Sequence, residues 1–307
     1  MNNASAHLTN WVSVASITLL LTACGGGGGS SSGTGTLNLG ITDAAIDNAE
    51  SVVVEFTGVE LQPAGGNRIV HDFPTARQID LRALTGGTTE LLLDGVVVPA
   101  GRMSWLRLKV NAERDVTDSY IMIDGSMHPL WIPSGETTGL KLNRGFDVPE
   151  GGVASFTIDF DLRRSVHKPN GLDPNHILRP TLRLVDGNTD GALTGTISDT
   201  IIMADADCAG DPGDPVGAVY VFDIADAVDD LDGTGDPITS ALVPNDGVYA
   251  YTVAFLPEGE YKVAFTCDAD IDEPGKDADT DPTDGPVDFV EEYSVTIVAG
   301  KTTAQNF

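Results

Sequence analysis

The stretch Ser51–Leu61 reads SVVVEFTGVEL, and its periodicity decides the fold. Val52, Val54 and Phe56 recur at every second position, the period of a strand with one buried face. Gly58 then shifts the phase, so that Val59 and Leu61 take over the inward side. An isolated Gly at such a slip predicts a β-bulge. The alternation continues outward in both directions: Thr36–Thr42 alternates and closes in Asp43, and further runs follow at Glu90–Val98, Ser104–Val110, Tyr120–Ile123, Leu130–Ile132, Ala154–Leu162 and Ile177–Val185. Phe156, Ile158, Phe160 and Leu162 share one face of their run. Short strands separated by turn residues predict a β-sandwich.

Composition agrees. The chain has 307 residues, 41% of them hydrophobic, which is enough for packed cores and comfortable for two domains; 35 glycines fit strands and tight turns better than long helices. Charge then divides the chain. Residues 34–188 carry 20 acidic against 14 basic side chains, whereas residues 189–307 carry 26 acidic against 3 basic. That step, beside the turn-rich Val185-Asp-Gly-Asn-Thr-Asp-Gly191, predicts a domain boundary near residue 189. A net charge of −29 disfavours nucleic acid as a partner, since an acidic surface repels phosphate.

The N-terminus reads as an address. Trp11–Ala23 (WVSVASITLLLTA) is apolar and uncharged, too short to span a bilayer but suited to a signal-peptide core. It ends in Leu21-Thr22-Ala23-Cys24, which resembles the lipobox of bacterial lipoproteins. The resemblance implies a signal peptide over residues 1–23, cleavage before Cys24, lipidation of its thiol and anchorage to a membrane. Residues 1–23 lack Lys and Arg, a departure from the basic start of such signals. Gly25–Thr36 (GGGGGSSSGTGT) continues as a flexible tether with an r.m.s. span of roughly 20 Å. Gly25 follows the Cys where family precedent puts an inner-membrane retention Asp, so outer-membrane placement in the cell envelope is expected.

Beyond the tether, GTLNLGITDA, VVVEFTGVEL, IDLRALTGGTTELLLDGVVVPAGRMSWLRLKV, GLKLNRGFDV, FTIDFDLRRSV and HILRPTLRLVD resemble the bacterial lipoprotein domain-of-unknown-function family 4382, over nearly all of residues 35–186. This implies an exported β-rich domain and brings no catalytic residues with it. In the acidic half, LTGTISD (193–199), GAVYVF (217–222), PNDGVYAYTVAFLPEGEYKVAF (244–265) and VTIVAGKTTAQNF (295–307) resemble the carboxypeptidase-regulatory-like (transthyretin-like) β-sandwich. Such modules serve as structural or presentation units. The expected layout is all-β: a signal peptide (1–23), a Cys anchor with its linker (24–35), and two Ig/transthyretin-like β-sandwich domains in tandem (36–188 and 189–307).

Strand parity bears on the remaining cysteines. With a first strand over 193–203 running up and those over 217–223, 238–243, 248–256 and 260–266 alternating after it, Cys208 and Cys267 fall at the same end. In an oxidising compartment a disulfide is then expected; free thiols or thiolate metal ligands are the alternatives. The same parity gathers Asp205, Asp207, Asp211 and Asp214 with Asp268, Asp270, Asp272, Asp277, Asp279 and Asp281. Their spacing of two is how oxygen ligands are offered to Ca²⁺, although neither loop is an EF-hand. The ordinary reading, which we prefer, is a solvated acidic loop.

Two further patterns complete the search. Trp105, Arg107 and Lys109 alternate with Leu106, Leu108 and Val110, and with Arg179 and Arg183 they would make a face able to grip a glycan or protein ligand. The preferred alternative is cross-strand ion pairs with an aromatic packed over them. No GxSxG, HExxH or phosphate-binding Gly loop occurs, and His71, His128, His167 and His176 are scattered. The chain therefore reads as a non-enzymatic, lipid-anchored envelope module of binding or structural type. The rival is a hydrolase or carbohydrate-processing accessory with its site in the first-domain loops, for which a convergent polar pocket at His128 or His167 would speak.

Overall fold

In the computed structural model the described residues are 33–44, 49–133, 139–168, 171, 174–208, 214–231, 235–272 and 287–307. The chain forms β1 (Thr34–Ala44), β2 (Ser51–Pro63), β3 (Ile69–Asp80), β4 (Glu90–Pro99), β5 (Gly101–Asn111), β6 (Tyr120–Ile123) and β7 (Ser126–Trp131). There follow β8 (Leu140–Leu142), β9 (Phe146–Val148), β10 (Val153–Asp161), the one-turn α1 (Leu162–Ser165), β11 (Val166–His167), β12 (His176–Leu178) and β13 (Leu182–Asp186). The acidic half adds β14 (Asp190–Thr196), α2 (Asp199–Ala204), β15 (Pro215–Asp223), β16 (Thr239–Pro244), β17 (Ala250–Pro257), β18 (Gly259–Thr266), β19 (Phe289–Ile297) and β20 (Thr302–Ala304).

These strands build four sheets. Two use only strands before residue 187: β13-β10-β1-β4, and β11-β12-β7-β6-β2-β5-β8 with β3 added on β2 and β9 on β5. The other two, β17-β14-β20 and β16-β15-β18-β19, use only strands after residue 189. Each pair of sheets closes on one apolar core. Leu37, Leu39 and Ile41 of β1 meet Val52, Val54, Phe56, Val59 and Leu61 of β2 in the first. Leu193, Val219, Val221, Val253, Val263, Phe265 and Ile297 fill the second. Burying each such side chain contributes about 1.5–3 kcal/mol. The protein is thus an all-β assembly of sandwich type, and Gly33–Phe307 forms one compact unit.

The bulge falls where the sequence places it. The pairing of β2 slips between Phe56 and Gly58 against both β3 and β5. A Cβ at Gly58 would lie 2.6 Å from the His71 carbonyl oxygen, so only Gly admits that approach of β3. Two expectations are corrected. The run Ile177–Val185 is not one strand: Arg179, Pro180 and Thr181 separate β12, in the larger sheet, from β13, in the smaller. Pro cannot donate to a ladder, and the chain changes sheets there. The strand expected over 193–203 ends at Thr196, because the Ser198 side chain accepts from the Ile201 amide and starts α2 with Asp199 in its first turn.

Candidate functional site

The acidic end. Cys208 and Cys267 form a disulfide, with Cα atoms 4.7 Å apart and both residues buried. Beside it Asp205, Asp207 and Asp268 gather. Burial raises the Asp268 carboxyl, and neighbouring Asp207, Asp288 and Asp205 raise it further against the pull of the Asp288 amide. Asp270 is exposed at the end of the short 3-10 turn Asp268–Asp270. Asp272 departs from the expected set. It is 5% exposed and turned inward, its oxygens accepting from Tyr220 Oη at 2.5 Å and the Leu231 amide at 3.0 Å. Asp211, Asp277, Asp279 and Asp281 lie outside the described residues. Among the described residues no three Asp, Glu, His or Cys side chains are disposed to hold a metal.

The expected binding face divides. Trp105, Arg107 and Lys109 sit on β5 in the larger sheet, Arg183 on β13 in the smaller, and Arg179 in the link between β12 and β13. They do not form one face. Arg107 pairs with Glu60 at 3.1 Å, and Lys109 pairs with Asp72. Arg107 and Lys141 both lie over the Trp105 ring, at 5.2 and 4.7 Å from its centroid. The aromatic is already occupied by the protein's own cations, as cross-strand packing provides. Arg183 holds Asp159 at 2.5 Å, and burial still raises the Asp159 carboxyl against that pull.

The seam between the sandwiches is built by α1. Asp161 caps it, accepting from the Arg164 amide at 3.1 Å, and the turn projects two arginines into the acidic half. Arg163 is 4% exposed, bonds to Tyr220 Oη, and stacks over that ring at 5.2 Å. Tyr220 in turn donates to Asp272, which completes a buried Arg–Tyr–Asp chain. Arg164 reaches Asp236 at 2.6 Å and the Pro237 carbonyl at 3.2 Å. A cleft of about 360 Å³ opens alongside, between Thr42–Asp43 and the edge strands β16 and β17. Asp43 follows the inward parity of Leu37, Leu39 and Ile41 and is 6% exposed; among the described residues its carboxylate oxygens meet no well-formed hydrogen bond, only the weak pull of the Leu162 amide. Burial first, then Asp159 and Asp161, raise its carboxyl well above the ordinary carboxylate range.

A second cleft, of about 530 Å³, belongs to the first sandwich alone. Ile132, Leu178 and Pro180 supply apolar walls, and Arg164, His167 and Arg179 supply the polar groups. β11 and β12 position them: His167 pairs across to Ile177, and the Arg179 amide donates to the Ser165 carbonyl at 2.7 Å. Burial lowers the His167 pKa, and the Arg179 guanidinium lowers it further. Among the described residues the cleft lining holds no Asp, Glu, Cys or Ser. Among the described lining residues the imidazole has no carboxylate to orient it, and the hydroxyl in the lining is that of Thr181. His128 lies elsewhere, edge-on to His176 at 5.4 Å.

Fold and sites together define an all-β protein of sandwich type. Residues 34–180 match the family described as Domain of unknown function (DUF4382). No curated protein matches the chain in sequence. Solved structures with similar strand arrangements include the Bacillus anthracis TIE protein (12% identity, 89% of this chain and 33% of that one, TM-score 0.21). GBS52, the minor pilin of Streptococcus agalactiae, is similar at 8% identity over 88% of this chain and 94% of that one, TM-score 0.21. BcpA, the major pilin subunit of Bacillus cereus, is similar at 10% identity over 89% and 99%, TM-score 0.20. The chain spans a third of the length of the TIE protein. At these scores the likenesses say nothing about function.

Proposed function

We propose that the protein is a lipid-anchored, non-enzymatic module of the bacterial cell envelope, two β-sandwich domains (36–188 and 189–307) carried on Cys24 by the Gly/Ser tether and placed at the outer membrane. The observation that carries this reading is the buried Cys208–Cys267 disulfide. Such a bond persists in oxidising, extracytoplasmic compartments. It also accounts for two of the chain's three cysteines, leaving Cys24, at the end of its apolar segment, for the lipid. The family match over 34–180 supports an unknown-function domain for the first sandwich, and the second is read as a carboxypeptidase-regulatory-like unit. The acidic end is read as solvated, since Asp272, one of its proposed calcium ligands, is committed to Tyr220 and Leu231. The catalytic rival is the less favoured reading, since among the described residues no carboxylate lines the His167 cleft.

Metabolic labelling with an alkyne fatty acid in a Gram-negative host, followed by membrane fractionation, tests the anchor. The full chain should be labelled and sediment with outer membranes, and Cys24→Ser should be unlabelled. An unlabelled wild-type protein, or equal labelling of Cys24→Ser, would reject the anchor.

A further inference from the structure

We propose that the cleft formed by Ile132, Leu178, Pro180, Arg164, His167 and Arg179 binds an oxyanion-bearing ligand with an apolar body, Arg179 serving as its counter-ion and His167, protonated when the anion is bound, as a second donor. Four observations converge. First, the Arg179 guanidinium is exposed and has no hydrogen-bond or ion-pair partner among the described residues. Its neighbours are engaged: Arg164 with Asp236, Arg183 with Asp159, and Arg163 with Tyr220.

Second, burial and then the Arg179 guanidinium disfavour the His167 cation, so Arg179 lies near enough to the imidazole for both to face one ligand. Third, among the described residues no acid lines the cleft, in a chain whose net charge is −29. Residues 163–183 concentrate five Lys and Arg (Arg163, Arg164, Lys168, Arg179 and Arg183) against the single acid Asp173. Fourth, the walls are apolar, and a guanidinium beside such a wall is the arrangement that grips a carboxylate or phosphate on a hydrophobic ligand.

An anion there would oppose the repulsion of His167 by Arg179, so binding should raise the imidazole pKa. The other charged groups of these elements are Arg164, with its Asp161 and Asp236 partners, and exposed Lys168. The inference is independent of the lipid anchor, since the cleft lies wholly within the first sandwich.

The test is a proton NMR titration of the histidine ring resonances of the full protein in detergent. His167 is assigned by its loss in His167→Gln. Phenyl phosphate, benzoate, inorganic phosphate and benzyl alcohol are added at constant ionic strength. Phenyl phosphate and benzoate should shift the His167 resonance saturably and raise its pKa, whereas benzyl alcohol should do neither. Arg179→Gln should weaken both anions at least tenfold while leaving the melting temperature unchanged, because the Arg179 side chain makes no bond to the described residues. No saturable shift with either aromatic anion, or equal affinity in Arg179→Gln, would overturn the proposal. Equal affinity for inorganic and phenyl phosphate would reject the part assigned to the apolar walls.

Discussion

The two sandwiches hold their edges and ends by opposite means. The first, with 20 acidic and 14 basic side chains, ties its strands laterally with ion pairs such as Arg107–Glu60, Arg183–Asp159 and Arg102–Asp147. The second has only Lys262, Lys276 and Lys301 to set against 26 acids, so that device is closed to it. It relies on a disulfide, on turns in which carboxylates accept backbone amides (Asp246 from Val248 and Tyr249), and on arginines lent by the first at α1. A domain with so few cations of its own is stabilised by what crosses to it.

That contrast can be broken most forcefully at the disulfide. Cys208→Ala/Cys267→Ala should destabilise the acidic sandwich by about 4 kcal/mol, the chain-entropy value for its 59-residue separation. Two melting transitions, with only the one belonging to residues 189–307 lowered, would sharpen the comparison; an unchanged melting curve would break it.

Next comes the loan at the seam. Arg163→Met leaves Asp272 buried with only Tyr220 and Leu231, and a loss of about 3 kcal/mol in denaturant unfolding is expected, since one charged partner is removed from a buried network. Tyr220→Phe should cost less, about 1–2 kcal/mol, because it removes one hydroxyl rather than the cation.

Asp43→Asn should act in the other direction. The native state raises the Asp43 carboxyl, so it holds that proton more tightly than the unfolded chain does. The associated stability is fully present below the unfolded pKa near ~4 and is lost as pH rises through the folded value. Asp161, pushed up to about 6, loses its share across the window from roughly pH 4 to 6. Wild-type stability should therefore decline as pH rises through this range. Asp43→Asn, with no proton to lose, should be more stable than wild type at pH 7 by about 1–2 kcal/mol in urea unfolding. A lower stability at pH 7 would show that the buried carboxylate is needed in its charged form.

The smallest effect belongs to the lateral ties themselves. Lys109→Met, which removes the partner of Asp72, should change stability by well under 1 kcal/mol, as exposed pairs do. At the acidic end, Ca²⁺ and Mg²⁺ at equal concentration should raise the melting temperature equally, as screening among Asp205, Asp207 and Asp268 predicts. A Ca²⁺-selective rise would instead place a bound cation among those loops.

Much of the fold was legible because it rests on local period. Gly58 announced its bulge, and the parity of strands 14 to 18 put Cys208 and Cys267 at one end even though the first of them stops seven residues early. The errors have physical causes. Side-chain alternation runs unbroken through Ile177–Val185, and periodicity cannot register a change of sheet; Pro180 was the cue. Ile201 and Ile202 extend an apolar run past Thr196, and the cap at Ser198 was the competing signal. The sites were harder to read. Arg163, Tyr220 and Asp272 meet across 52 and 57 positions of sequence, a distance no motif spans. The Arg179–His167 cleft left one trace in the sequence, a basic run in an acidic chain.

The position of β1 has a consequence for the order of assembly. It is the first strand of the described chain, yet it lies inside its sheet, antiparallel to β4 on one side and parallel to β10 on the other. Asn38 meets Ser155 across 117 residues. A chain emerging from its N-terminus can pair one edge of β1 early, but the other stays open until β10 arrives. Such long-range parallel closure is slow, on the millisecond-to-second scale of high-contact-order domains, and it exposes an unpaired edge in the interval. The first strand of the described chain thus keeps one edge open until residues 153–161 have been made, an edge free to mispair in the newly made chain.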